Sequence, residues 1–277
     1  MSKEPQSSSK IWMKFLPLML SVLTMVLTCR KDILSPEFRI VSLSPAMTEI
    51  LFAIGAEKNL VGVTTFCDYP AEAKELYKVG DFSNPSMERI IGLKPDLVVV
   101  NIPEQKRIKN QLDQLRIKTF VSSPRTIEDI YREITAIAAL VKKEKKADSL
   151  IAYMKKNLKP IKIKERKRVY VELSSRPLVT IGASTFLNEL IEMAGGYNIF
   201  QDLTRDYPVV TQEQVIKRNP EIIIVLHPDG IGERLGWAEI PAVKNQRIYS
   251  GLEQDCLMRP GPRLVQGLKE LKRIILE

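Results

Sequence analysis

The sequence predicts an α/β fold: two similar α/β lobes with mostly parallel sheets, joined by a long bridging α-helix. Three observations carry this. Apolar strand-like runs alternate with amphipathic helical segments from residue 39 onward, the pattern of parallel sheets covered by helices. The stretch "SMERIIGLKPDLVVV" (86–100) recurs 125 positions later as "TQEQVIKRNPEIIIV" (211–225), with Glu88 facing Glu213, Pro95 facing Pro220 and Val100 facing Val225 without a gap. Between the two copies lies a long helical region with no strand pattern.

In the first half, "RIVSLS" (39–44) is a strand, and Ser44-Pro45 opens a helix with a capping side chain and a first-turn proline. That helix, "AMTEILFAIG", stops at Gly55. "LVGVTTF" (60–66) is a strand leading into the loop "CDYP", and 78–82 is a short extended piece. Ser86 caps the helix carrying Glu88, Pro95 marks its end, and "LVVV" is a buried strand. A helix at 105–115 and a strand "KTFV" complete this half.

Ile127, Ile130, Ile134, Ile137 and Val141 step by three and four and share one helical face. The basic run 142–146 interrupts the pattern, and Leu150, Ile151, Met154 and Leu158 resume it. This predicts either one kinked helix or two in series, the second over about 144–160, ended by Pro160. The second half repeats the order of the first: strand "RVYVEL" (168–173), helix "TFLNELIEMAGG" (185–196), loop "DYPVV", the Glu213 helix, strand "EIIIVL", strand "QRIYS" and a last helix over about 263–276. Glu189 corresponds to Glu49, and Gly195 to Gly55.

The resulting organisation is 1–29 signal peptide with a lipidation cysteine, 30–38 tether, 39–125 first lobe, 126–165 helical linker with the bridging helix, and 166–277 second lobe. The signal assignment rests on Lys10 and Lys14 before "FLPLMLSVLTMVL", an uncharged run too short to span a bilayer and suited to a signal core. Cys29 directly follows it, as the lipidated cysteine of a bacterial lipoprotein does, although Leu27 and Thr28 occupy places where smaller residues are usual. Cleavage by ordinary signal peptidase is the alternative, and Met13 is an alternative start. The expected location is therefore outside the cytoplasm, periplasmic or cell-envelope, held by a lipid anchor.

Composition narrows the function. At 44% hydrophobic and 27% charged, the chain is globular, and its formal net charge of +9 lies in mixed-sign runs such as "VKKEKKAD" and "KIKERKR". That distribution does not suit nucleic acid; a basic face toward anionic lipid and a basic pocket for an anionic ligand both fit it. One histidine, His227, argues against a zinc or manganese site, and its place in "LHPDG" after a strand makes it a surface or pocket-wall residue. Cys67 and Cys256 have a spacing that does not reveal whether they meet. No phosphate loop and no nucleophile elbow is present, so no catalytic residue is assigned.

Glu88 and Glu213 each fall at the second position of a helix after a Ser or Thr cap. There the helix dipole favours a carboxylate by a few tenths to about 1 kcal/mol, which accounts for either one alone. It accounts less well for the pair, because the neighbouring surface positions differ. An outward carboxylate on each lobe, for a partner with two matching basic sites, is the functional reading.

The run "RIVSLSPAMTEILFAIGAEKNLVGVTTFCDYPAEAKELYKVGDFSNPSMERIIGLKPDLVVV", with the closing "RPGPRL", resembles the substrate-binding proteins that deliver vitamin B12, siderophores or haem to ABC importers. The resemblance covers nearly everything from Arg39 onward and is looser in the second lobe. It implies two lobes bridged by a rigid helix, with ligand in the cleft between them. It also implies that Glu88 and Glu213 dock onto arginines of a permease working with its ATPase.

For the ligand it implies a corrinoid contacted by Tyr69 and Phe82, with Tyr207 as the second-lobe counterpart. Phe82 and Tyr207 stand where tryptophans are common in B12 binders. Arg176, Trp237 and Arg259 are further candidates because their loops face the same way. No cofactor beyond the transported ligand and no nucleic-acid partner is expected, and the protein is expected to be a monomer. An iron siderophore or haem in the same role is the alternative ligand, and a cell-envelope α/β enzyme is the alternative of another class.

Overall fold

The computed structural model describes residues 38–231 and 233–277; the signal segment, Cys29 and the tether up to Glu37 lie outside them. The first lobe comprises β1 (Ile40–Ser42), α1 (Pro45–Ala53), β2 (Leu60–Val63), α2 (Met87–Gly92), β3 (Leu97–Asn101), α3 (Lys106–Gln114) and β4 (Thr119–Ser122). Two helices follow, α4 (Ile127–Leu140) and α5 (Glu144–Asn157). The second lobe holds β5 (Lys167–Glu172), the antiparallel hairpin β6 (Ser174–Ser175) and β7 (Leu178–Val179), α6 (Phe186–Met193), β8 (Gly196–Asn198), α7 (Gln212–Arg218) and β9 (Ile222–Val225). It closes with α8 (Pro241–Lys244), β10 (Ile248–Tyr249), α9 (Asp255–Met258) and α10 (Leu264–Leu276).

The first sheet runs β2-β1-β3-β4 and the second β10-β9-β5-β8, all pairs parallel. Numbered within its own lobe, each sheet has the strand order 2-1-3-4. The repeat in the sequence is thus a repeat of topology, with β1, β2, β3 and β4 answering β5, β8, β9 and β10. Chain reversal between the first and third strands makes a crevice at the carboxyl ends of the strands in each lobe.

Strand alternation sorts the core into layers. Val41, Val98 and Val100 face one way and pack with Ile108 and Leu112. Tyr170, Ile223 and Val225 do the same in the second lobe with Phe200 and Trp237. The opposite faces, Ile40 and Val99 in one lobe and Val169, Val171, Ile222 and Ile224 in the other, belong to a single cluster with Ile130, Ile134 and Ile137 of α4 and Met154 of α5. One apolar core therefore passes through the linker helices from lobe to lobe.

The linker is two helices rather than one long one. Thr126 caps α4 in a reciprocal capping box with Asp129, and the chain turns through Lys142, whose φ is 56°. The run 142–146 offers no apolar face that would continue α4 into the core. Helix α5 ends at Asn157, ahead of Pro160, since the residue before a proline disfavours helical backbone. Strand β8 and the β6–β7 hairpin were not visible in the sequence. Strand β8 lies so close to its neighbours that a Cβ on Gly196 would meet Ile191 at 2.7 Å and Val169 at 2.9 Å.

A buried ionic cluster adds a polar tie. Glu49 of α1, 3% exposed, accepts from Arg263 Nε at 2.9 Å and Nη2 at 2.7 Å, and from Arg259 at 3.1 Å. Arg259 also pairs with Asp68 and Asp255, both at 2.8 Å, and Arg263 with Glu253 at 2.8 Å. The repeat-related Glu189 of α6 accepts the N–H of Ile127, at the start of α4, at 2.8 Å. Each of these glutamates fastens its own lobe to an element outside it.

Removing Glu49 takes away the one buried carboxylate of the cluster and leaves the buried Arg263 only the partly exposed Glu253 and Asp255. Glu49→Ala should cost about 3–5 kcal/mol of stability, read as a lowered urea midpoint. Removal of Asp113, whose pair with Lys109 is exposed, should cost under about 1 kcal/mol.

The Asp129 carboxyl gives a pH-dependent contribution. Burial opposes its charge, but the Thr126 hydroxyl and N–H, the Arg132 side chain and the Arg125 N–H together hold its pKa at about 2, against 3.8 for a free side chain. A carboxylate depressed on folding stabilises above its unfolded pKa, and that contribution is lost as pH falls toward about 2. Asp129→Asn should therefore lose about 1 kcal/mol at pH 6, and thermal melts should converge with those of the parent near pH 2.

Candidate functional site

The segments after the strand ends build one cleft between the lobes. From the first lobe come Phe82, the turn after β3 (Asn101, Ile102, Pro103, Glu104) and the turn after β4 (Ser123, Pro124, Arg125); from the second come Leu173, Ser184, Phe186, Asp206, Tyr207 and Met258. The cleft is open to solvent, and the space between these walls is about 420 Å³.

Local hydrogen bonds hold these walls. Gln105, fully buried, accepts the Asn101 N–H at 2.8 Å and donates to the carbonyls of Phe82 at 2.7 Å and Leu43 at 3.2 Å. One amide thus ties the Phe82 loop, the end of β1 and the turn carrying Glu104. Glu133 of α4 accepts from Ser122 Oγ at 2.7 Å and from the Ser123 N–H at 2.9 Å. That bond set fixes the β4 turn to the linker; burial pushes the Glu133 carboxyl upward in pKa.

A partly exposed ion pair joins the two walls, Arg125 of the first-lobe turn hydrogen-bonding Asp206 of the second lobe. Tyr207 follows, 47% exposed. Burial of its hydroxyl, with the Asp206 and Glu104 charges nearby, pushes its pKa up. Arg125 is the single cation of the lining and is already paired, whereas Glu104 has no ion-pair partner among the described residues. Among the described residues the cleft is apolar and aromatic on its sides, rich in acceptors at its edge, and lined by no unpaired cation. The Oδ1 atom of Asn101, buried without a partner, adds an unsatisfied acceptor, a feature that costs about 1–3 kcal/mol.

Of the ligand-contact candidates, Phe82 and Tyr207 meet in this cleft. The other four sit elsewhere. Tyr69, 43% exposed, lies under the Arg263 guanidinium, 4.3 Å from its ring. With Phe52, Tyr153 and Pro262 it lines a separate concavity of 680 Å³ where α1, the 67–72 loop, α5 and the start of α10 converge, sharing no residue with the cleft. Trp237, 3% exposed, packs edge-on against Tyr170 in the second-lobe core, with Arg234 stacked 4.6 Å from its ring. Arg259 is spent in the Glu49 cluster, and Arg176 is exposed at the tip of the β6–β7 hairpin.

His227 is buried rather than superficial. Its Nε2 lies 2.9 Å from Glu172, which Arg234 grips through two bonds of 2.6 Å. Cys67 and Cys256 are both free and buried: Cys67 contacts Thr48 and Thr64, Cys256 contacts Gln266.

Glu88 and Glu213 are exposed at the second positions of α2 and α7, behind the caps Ser86 and Thr211. A hydrogen bond from the Thr211 hydroxyl lowers the Glu213 pKa, keeping that carboxyl ionised. Each helix runs antiparallel to the strand that follows it, so both acids lie at the carboxyl-end edge of their sheets, where the cleft opens.

The sequence offered no signal for Glu104, Arg125 and Asp206 as cleft residues. They sit in turns whose only readable property was polarity, and the Arg125–Asp206 contact spans 81 positions.

Residues 40–254 match the family model described as periplasmic binding protein. The chain is 36% identical over 252 residues to an uncharacterized ABC transporter substrate-binding lipoprotein of Bacillus subtilis, covering 86% of this chain and 79% of the relative. It is 32% identical over 271 residues to a vitamin B12-binding protein of Vibrio parahaemolyticus, covering 93% and 94%. Among solved structures, a "possible" iron-binding (periplasmic solute-binding) protein of Staphylococcus epidermidis superimposes with a TM-score of 0.76 at 33% identity, over 86% of this chain and 98% of that one.

The cleft assignment is tested by occupancy. Tyr207→Ala should weaken a cleft ligand about tenfold or more, whereas Tyr69→Ala should leave its affinity within about twofold, both read by absorbance titration; the reverse order would move the site to the Tyr69 concavity.

Proposed function

Since the chain belongs to the periplasmic binding protein family, the substrate-binding components of ABC importers, we propose that it captures a corrinoid of the cobalamin type between its lobes and delivers it to a membrane permease. The observation that carries the ligand class is the cleft's charge: among the described residues that line it, the one arginine is neutralised by Asp206 and Glu104 has no ion-pair partner. Haem propionates and anionic siderophores are favoured by unpaired arginines, which bind carboxylates in pairs of hydrogen bonds. A corrinoid presents a broad ring to Phe82, Phe186 and Tyr207 and an amide-bearing rim to the acceptors. The relative named as a vitamin B12-binding protein supports the same reading. The iron-binding name of one structural relative favours the second reading, a ferric chelate in the same cleft.

Delivery is assigned to Glu88 and Glu213. An acid on each lobe, at the edge where the cleft opens, orients the cleft over a permease with two matching basic sites. Each exposed pair contributes about 0.2–1 kcal/mol, and more where the interface excludes water. Export and a lipid anchor on Cys29 would keep the protein at the membrane face where the permease lies.

Titration of the protein with cyanocobalamin, haem and a ferric hydroxamate, followed by absorbance, is expected to give saturable binding for the first alone. Saturation by the ferric chelate with no response to cyanocobalamin would transfer the assignment to the second reading. Combined Glu88→Lys and Glu213→Lys should abolish uptake in cells while corrinoid affinity stays within about twofold; loss of affinity in the isolated double variant would sink the docking assignment.

A further inference from the structure

We infer that Glu104 is a specificity-determining residue, reading the carboxamide rim of the ligand and rejecting corrinoids whose rim carries carboxylates; this rests on the corrinoid reading above. Four observations converge on it. Glu104 is exposed in the cleft and has no ion-pair partner among the described residues. Its turn is held rigidly, because Gln105 bonds through both side-chain ends and its own N–H reaches the Asn101 carbonyl at 2.9 Å. The same turn opens with Asn101, whose Oδ1 is a buried acceptor lacking a donor. Across the cleft, Asp206 adds a second carboxylate, and the one arginine available to a carboxylate ligand is engaged with it.

A primary carboxamide supplies two N–H donors on one planar group, which suits an ionised carboxylate acceptor held in place. A carboxylate at the same position on the ligand supplies none and meets like charge, a juxtaposition that costs several-fold to many-fold in affinity. The discrimination is electrostatic, so it weakens as salt rises. The device is also local: Glu104 is separated from the Glu49 cluster and from Glu88 and Glu213, so its replacement leaves the lobe junction and the proposed docking face intact.

The test compares dicyanocobinamide, whose rim is amidated, with dicyanocobyrinic acid, whose rim is carboxylated, on the parent protein, Glu104→Gln, and Glu144→Gln as an exposed acid at the start of α5, outside both concavities. The parent should favour the amide ligand at least about tenfold. Glu104→Gln should narrow that ratio to about threefold or less, largely by improving the acid, and Glu144→Gln should leave it unchanged. Raising salt should narrow the ratio in the parent and barely alter it in Glu104→Gln. A ratio unmoved by Glu104→Gln, or moved equally by Glu144→Gln, overturns the role of Glu104 while the corrinoid reading stands. Binding of neither corrinoid overturns both.

Discussion

The buried pairing of Glu49 with Arg263 is the constraint on which the two-lobed body depends. A carboxylate and a guanidinium taken out of water are costly separately and tolerable only together, with their remaining valences satisfied. Here Arg259, Asp68, Asp255 and Glu253 supply those valences, so the start of α10 cannot leave α1 without exposing the whole cluster. The apolar core crosses the same junction through α4 and α5. The two lobes therefore share an interior.

That constraint also separates the repeated acids into two kinds. Glu49 and Glu189 occupy equivalent positions on α1 and α6, point inward, and each bonds an element beyond its own lobe. Glu88 and Glu213 occupy equivalent positions on α2 and α7 and stay in solvent. Both pairs arise from one duplicated topology, but only the outward pair is free for a partner. Helix capping explains why an acid is tolerated at Glu88 and Glu213; it does not explain Glu49, where burial would expel an acid that had no arginine beside it.

Alternation of strands and helices was legible because burial on both sheet faces leaves near-continuous apolar runs such as "LVVV" and "IIIV" between amphipathic segments. The duplicated helix start was legible because a cap, an acid and a proline recur at fixed spacing. The cleft was legible only in part. The resemblance pointed to Phe82 and Tyr207, which line the cleft, and equally to Tyr69, which does not; Trp237 was added because its loop was read as facing the same way. Their true surroundings come from distant residues: Arg263 lies 194 positions after Tyr69, and Tyr170 lies 67 positions before Trp237. A loop aromatic lining a cleft and one closing a core look alike until those partners are known. Glu104, Arg125 and Asp206 were silent for a related reason: a charge on a turn gains its meaning from the charge opposite, and local periodicity says nothing about that.

A rigid junction has a consequence for how such a body would handle its ligand. A protein whose lobes share a core cannot gain affinity by folding around its cargo through a wide hinge motion. The affinity must come from a surface already in place, where little ordering is needed on binding. Gln105 and Glu133 meet that requirement by fixing the two first-lobe turns before any ligand arrives. Under the proposed reading, release is then the work of a permease that acts on both lobes at once. In that reading the acids on each lobe, at the edge where the cleft opens, give the permease its grip, and the partly exposed Arg125–Asp206 pair is a polar link between the walls that a small displacement would break. Under the proposed reading, the strong ionic cluster at the junction keeps the body whole, and the weaker, partly exposed pair in the cleft is where the lobes give way.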